Sequence, residues 1–186
     1  MARRSAAAAS VVLVAALVAA GCGASGATPS TAASTALPTA SAAVPSTPAG
    51  KTSAAPALLC FTARTTDGTT FDGRRLAGKP AVLWFWAPWC PTCRAQAAGV
   101  TTLAGGYAGQ VNVVGVGGLD DSAAIGEFAD AVNSFPQLDD PRGEIWKRFG
   151  ITAQSTYVLL DASGSVRFRG YLDDAELARR VAELAG

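Results

Sequence analysis

Two cysteines three residues apart, Cys90 and Cys93, carry the chemistry open to this chain. They close the stretch Pro80-Ala81-Val82-Leu83-Trp84-Phe85-Trp86-Ala87-Pro88-Trp89-Cys90-Pro91-Thr92-Cys93. On a helix, side chains at this spacing share one side and lie about 5–6 Å apart, within reach of a disulfide. Pro91 suits the first turn of such a helix, because its missing N–H would have no intrahelical partner there. Cys90 then stands at the helix N-terminus, where unpaired N–H groups and the macrodipole favour a thiolate. Arg94 adds a positive charge nearby or faces solvent. The pattern describes a redox dithiol held at the end of a strand.

Other chemistries are narrowed by composition. The chain has no histidine, which removes His-assisted thiol catalysis, His metal ligands and any Ser-His-Asp triad. A Cys-x-x-Cys pair is also half of a zinc site, but zinc needs two further ligands. The remaining cysteines are Cys22 and Cys60. Cys22 lies on the tether before the folded domain, so only Cys60 is left and no metal or other cofactor is expected. The formal net charge of +1 suggests no nucleic-acid partner.

The elements that position the pair follow in chain order. Arg3 and Arg4 precede an apolar run from Ala6 to Ala20, shorter than the roughly 20 residues of a membrane span and suited to a signal peptide. The run ends in Leu17-Val18-Ala19-Ala20-Gly21-Cys22. Small residues before a cysteine resemble a bacterial lipobox, although Ala19 stands where Leu is usual. Residues 1–21 are therefore expected to be a signal peptide, with a lipid on Cys22 as the new first residue. The alternative is an ordinary secretory signal with an incidental cysteine. Both take the protein out of the cytosol, where disulfides persist. Residues 22–57 are rich in Ala, Ser, Thr and Pro, with Lys51 their only charge. Such a segment cannot bury enough apolar surface to offset its ordering entropy and reads as a disordered tether spanning roughly 30–35 Å.

Residues 58–186 are enough for one domain with its own core. The expected order is a strand at Leu58–Thr65, a short one at Thr69–Phe71, and a central strand at Ala81–Trp86. The active-site helix runs from Pro91 to about Tyr107. A buried strand follows at Val111–Val116, then a helix capped by Asp121 or Ser122 and reaching about Asn133, and a shorter helix at Gly143–Phe149. Tyr157–Leu160 and Ser165–Arg169 form a hairpin around Asp161-Ala162-Ser163-Gly164, and Asp173 caps a last helix. Strands separated by helices imply parallel pairs, and the hairpin adds antiparallel ones.

The Trp-Phe-Trp-Ala-Pro-Trp-Cys-Pro-Thr-Cys segment resembles the thioredoxin superfamily. Within it the chain is similar to exported TlpA/ResA-like and Dsb-type disulfide oxidoreductases, above all actinobacterial DsbE/DsbF-like secreted proteins and lipoproteins. The likeness extends over 58–186 and includes Gly78-Lys79-Pro80, Val114-Gly115-Val116 and Phe149-Gly150-Ile151-Thr152. It implies an α/β fold, a thioredoxin-like three-layer α/β/α sandwich with a mixed central sheet. It also implies that Cys90 is the exposed nucleophile and Cys93 the buried resolving thiol; beside them, Trp89 is expected to shield the pair and Pro91 to support it. Expected partners are thiols or disulfides of exported proteins and an unidentified membrane redox partner.

Three departures from the family pattern bear on mechanism. Many thioredoxins carry a buried Asp six residues before the first cysteine; here it is Trp84. TlpA/ResA-like proteins often have Glu three residues after the second; here it is Gln96. Without those anions nothing opposes a Cys90 thiolate, which tilts the expectation to an oxidase of exported thiols. The alternatives are that both residues merely fill volume, and that the protein is a reductase of the cytochrome c maturation or disulfide repair type. A third position, Ser155 in the docking loop Gln154-Ser155, replaces the family's cis-proline. A cis bond without proline costs about 3–4 kcal/mol, so a trans bond and a reshaped loop are expected. That altered loop is the one feature favouring a redox-silent binding module. Cys60 reads as a half-buried residue of the first strand, with a mixed disulfide to a partner as the other reading. Trp84 and Trp86 read as core.

Overall fold

Six consecutive apolar residues make a strand with no exposed face. The computed structural model describes residues 56–186. The signal peptide, Cys22 and the tether as far as residue 55 lie outside the described residues. Within them the elements are β1 (Thr62–Thr65), β2 (Thr70–Asp72), β3 (Ala81–Trp86), α1 (Pro91–Gly106), β4 (Asn112–Gly117), α2 (Ser122–Asp130), β5 (Gln137–Asp139), α3 (Glu144–Arg148), β6 (Thr156–Leu160), β7 (Val166–Gly170) and α4 (Asp174–Ala185).

Every residue of β3 is buried. Because successive side chains leave a strand on opposite faces, Val82, Trp84 and Trp86 enter one core while Ala81, Leu83 and Phe85 enter the other. The first core receives Val100 and Leu103 from α1, Ile125 and Phe128 from α2, and Leu177 and Val181 from α4. The second receives Ile145 and Trp146 from α3, with Leu59 and Phe149. The result is the expected three-layer α/β/α sandwich. Its seven strands lie in the order β2-β1-β5-β4-β3-β6-β7. β4 runs parallel to β3 and to β5, and every other pairing is antiparallel, so the sheet is mixed. β3, the strand that leads into Cys90, is thus flanked on both sides and cannot shift.

Four local expectations are corrected. The strand expected at Leu58–Thr65 is shorter, because Ala57–Leu59 form a 3₁₀ turn instead. That turn drives Leu59 fully into the second core. Cys60, expected half-buried in the strand, caps the turn and is exposed. The second helix stops at Asp130 rather than near Asn133, and Asp121 is its cap, accepting the Ala124 N–H at 2.9 Å. Between it and α3 lies β5, which was not expected. Its Gln137 is buried, with Oε1 accepting the Trp86 indole N–H at 3.1 Å and Nε2 donating to the Val132 carbonyl at 2.8 Å. Gly115 on β4 makes room for that amide: a Cβ there would meet Gln137 Oε1 at 1.8 Å.

Candidate active site

Pro88 and Pro91 end β3 and start α1, and Cys90 sits between them as the helix N-cap. Its Sγ accepts the backbone N–H of Cys93 at 3.1 Å, so the sulfur satisfies one of the helix's unpaired donors. Both sulfurs are free thiols. Cys93 is wholly buried, and Cys90, expected to be exposed, is only 3 % exposed. The correction has a geometric cause: the cap bond turns the Cys90 sulfur in over the helix end, into the core that Trp84 and Trp86 also fill.

A single hydroxyl joins the pair. Ser155 Oγ lies 3.2 Å from Cys90 Sγ and 3.2 Å from Cys93 Sγ. The described residues contain no cis peptide bond, as expected for Ser155, whose φ of 62° is left-handed. With this backbone turn the serine is buried and its hydroxyl lies between the sulfurs. Gln154 beside it is half-buried.

The two thiols titrate in opposite directions. Burial pushes Cys90 up, but hydrogen bonds from the Cys93 and Ser155 side chains and the N–H groups of Cys93 and Thr92 outweigh it, leaving its pKa below the ordinary thiol value. Burial lifts Cys93 to about 11, and its bond to Cys90 adds to the rise. Arg94 is not turned to the sulfurs. Its guanidinium donates to the Pro88 carbonyl at 2.7 Å and lies 5.4 Å from the centre of the Phe128 ring.

Trp84 and Gln96 prove to be partners. The Trp84 indole N–H donates to Gln96 Oε1 at 2.9 Å, and Gln96 Nε2 donates to the Leu172 carbonyl at 3.4 Å. Both residues are buried. They do more than fill volume: they form a neutral, hydrogen-bonded pair where the family pattern puts carboxylates. Trp86 is fully buried, as expected for core. Trp89, by contrast, is 51 % exposed, and its N–H donates to the Leu119 carbonyl at 3.2 Å. It ties the cysteine turn to the loop after β4. With Arg94, Ala97, Asp120, Glu127 and Phe128 it lines a cleft of about 450 Å³ beside that turn. Among the described residues no three His, Cys, Asp or Glu side chains gather as metal ligands would.

This dithiol on this sheet has relatives. The Redoxin family model matches residues 33–184. The chain belongs to the Redoxin family. The soluble secreted antigen MPT53 of Mycobacterium tuberculosis is 40 % identical over 136 residues, 70 % of this chain and 78 % of the antigen. The thiol:disulfide interchange protein DsbE of Yersinia pestis is 35 % identical over 112 residues, 58 % of each chain. Among solved structures, MTB dsbF in mixed oxidized and reduced forms superposes with a TM-score of 0.67 at 47 % identity, covering 70 % of this redoxin and 99 % of that chain. The fold is thioredoxin-like and the protein is a thiol:disulfide oxidoreductase.

The sequence pointed to the cysteines and to an unusual residue at Ser155, but not to the contact of its hydroxyl with both sulfurs. The missing proline was the only available signal, since the contact depends on backbone conformation.

The opposed titrations make a measurable pH dependence. Thiolate absorbance near 240 nm should show Cys90 ionising below the ordinary value of about 8.5, with Cys93 following only near 11. A raised acid stabilises the fold below its unfolded pKa and loses that contribution as pH rises to the folded value. The reduced protein should therefore lose unfolding free energy progressively from about pH 9 to about 11. Two thiols titrating together near 8.5, with stability flat above pH 9, would contradict this site.

Proposed function

We propose that this redoxin is an extracytoplasmic oxidase of protein thiols, acting on exported proteins through its Cys90–Cys93 disulfide. A substrate thiolate attacks Cys90 Sγ, the Cys90–Cys93 bond breaks, and Cys93 leaves and takes up a proton. A second substrate thiol then attacks its partner sulfur and releases the Cys90 thiolate. Two electrons and two protons leave the substrate, which gains one disulfide. Cys90 is the nucleophilic position and Cys93 the resolving one.

The Trp84–Gln96 hydrogen bond carries the direction. It leaves no carboxylate at either position to oppose a Cys90 thiolate, while the helix N–H groups and the Ser155 hydroxyl favour one. Stabilising the thiolate stabilises the reduced form, which makes the disulfide the stronger oxidant. The high pKa of Cys93 does not cancel this at neutral pH, where Cys93 is an uncharged thiol in the folded and the unfolded chain alike.

Location supports the same reading. MPT53 is named a secreted antigen, and an oxidase needs a compartment where disulfides persist. The small residues before Cys22 support a lipid anchor there, holding the oxidase at the outer face of the membrane on its Pro-rich tether.

Oxidised protein mixed with reduced, unfolded ribonuclease should transfer one disulfide per dithiol. Cys90→Ala and Cys93→Ala, neither of which can form the disulfide, should transfer none, and Cys93→Ala should be trapped as a mixed disulfide on Cys90 when it is offered a disulfide-bonded substrate instead. Rapid insulin reduction with no thiol oxidation would favour a reductase. Anchoring is tested separately in the producing cell: the mature protein should partition into detergent, and Cys22→Ala should release it to the medium. Unchanged partitioning of that variant would remove the lipid from the account.

A further inference from the structure

A resolving thiol must lose its proton to attack, and near Cys93 the usual acceptors are missing. Trp84 and Gln96 are neutral and bonded to each other. Tyr157, on β6, is fully buried with its hydroxyl unpartnered among the described residues, and burial holds it as a phenol, with Asp174, Cys93 and Tyr171 adding to the effect. Asp174, at the start of α4, lies against Gly99 of α1, where a Cβ would meet its carboxyl at 2.6 Å. Tyr171 is exposed, and Arg94 is held by the Pro88 carbonyl. One group remains in contact with the reacting atoms. Ser155 Oγ is 3.2 Å from each sulfur, buried, and positioned by a left-handed backbone turn.

We propose that the Ser155 hydroxyl is a catalytic proton relay, passing the Cys93 proton across the dithiol during resolution of the mixed disulfide. In the species with Cys90 bonded to a substrate sulfur, Cys93 S–H gives its proton to Ser155 Oγ as its sulfur attacks Cys90 Sγ. The Cys93–Cys90 bond forms and the Cys90–substrate bond breaks. The departing sulfur keeps the bonding electron pair and takes the original Ser155 hydroxyl proton. The hydroxyl is regenerated, with one proton in and one out. The reverse reaction runs through the same atoms, so the relay rests on thiol–disulfide exchange itself and serves oxidation and reduction equally.

The test is rapid mixing of reduced full-length protein with glutathione disulfide, acid quenching, and mass measurement of the glutathionyl-Cys90 species. General acid–base assistance is typically worth about 10²–10⁴-fold. In Ser155→Ala the mixed disulfide should accumulate and resolve about a hundredfold more slowly at pH 7. Its rate should climb about tenfold per pH unit from pH 7 to about pH 9, where it meets the wild-type rate, because the Cys93 proton must then go to hydroxide, while the wild-type rate stays flat over that range. Ser155→Gly removes the same hydroxyl but relieves the left-handed strain, and it should show the same slow, pH-dependent resolution. Resolution within twofold of wild type in both variants, with a flat pH profile, would overturn the relay. A defect in Ser155→Ala that Ser155→Gly lacks would also overturn it, by assigning the effect to loop strain. Should neither variant fold, the wild-type resolution rate in heavy water decides: a slowing of about twofold or more is expected, and no slowing would refute the relay. A thioredoxin-like direction of electron flow, by contrast, would defeat the oxidase reading and leave the relay intact.

Discussion

The hydrogen bond from the Trp84 indole to Gln96 joins the central strand to the helix bearing the dithiol, and Gln96 carries the link on to Leu172 before the last helix. Breaking it would leave buried donors and acceptors unpaired, at about 1–3 kcal/mol each. Its electrostatic consequence is of similar size. A carboxylate about 6 Å from a thiolate costs about 3 kcal/mol at an effective dielectric of about 20. That is about two pK units, acting against the direction in which Cys90 is perturbed. The neutral pair leaves the helix N-terminus and the Ser155 hydroxyl to act on Cys90 unopposed.

Geometry then divides the labour between two chemically identical side chains. Cys90 is the cap, receives the Cys93 N–H and the serine hydroxyl, and is drawn toward the thiolate. Cys93, one turn into the helix, is buried and held as a thiol. A two-sided strand is what makes the division stable. Trp84 and Trp86 pack beneath the cysteines while Leu83 and Phe85 lock the opposite face, so the turn at Pro88 has a fixed foundation.

Much of this is legible in the sequence, for identifiable reasons. The run at Ala81–Trp86 is apolar at every position and only six residues long between prolines, which suits a strand buried on both faces, and the prolines on either side of Cys90 mark the junction with the helix. β5 was not legible, because Gln-Leu-Asp has one apolar residue and shows no period. Its place depends on Gln137 reaching Trp86 from the far side of Gly115. The first strand was read too long because Leu58 and Leu59 suit a strand as well as a turn. The turn is decided by burial of Leu59, which the sequence does not display. Cys90 was expected in the open, because helix-terminus reasoning gives the field at a sulfur but not the direction the sulfur faces. At Ser155 the missing proline was plain, but its consequence depended on a positive φ that no residue pattern encodes.

The central claim is that a neutral surround makes this dithiol an oxidant, and its most direct test is the reduction potential. The oxidised and reduced protein should be equilibrated in glutathione buffers and followed by the fluorescence of Trp84 and Trp86, which share a core with the sulfurs. Dithiols of this spacing range from about −270 mV in thioredoxin to about −120 mV in DsbA, and each 30 mV is about 1.4 kcal/mol. The account predicts a value nearer the oxidising end. A potential at the thioredoxin end would contradict it.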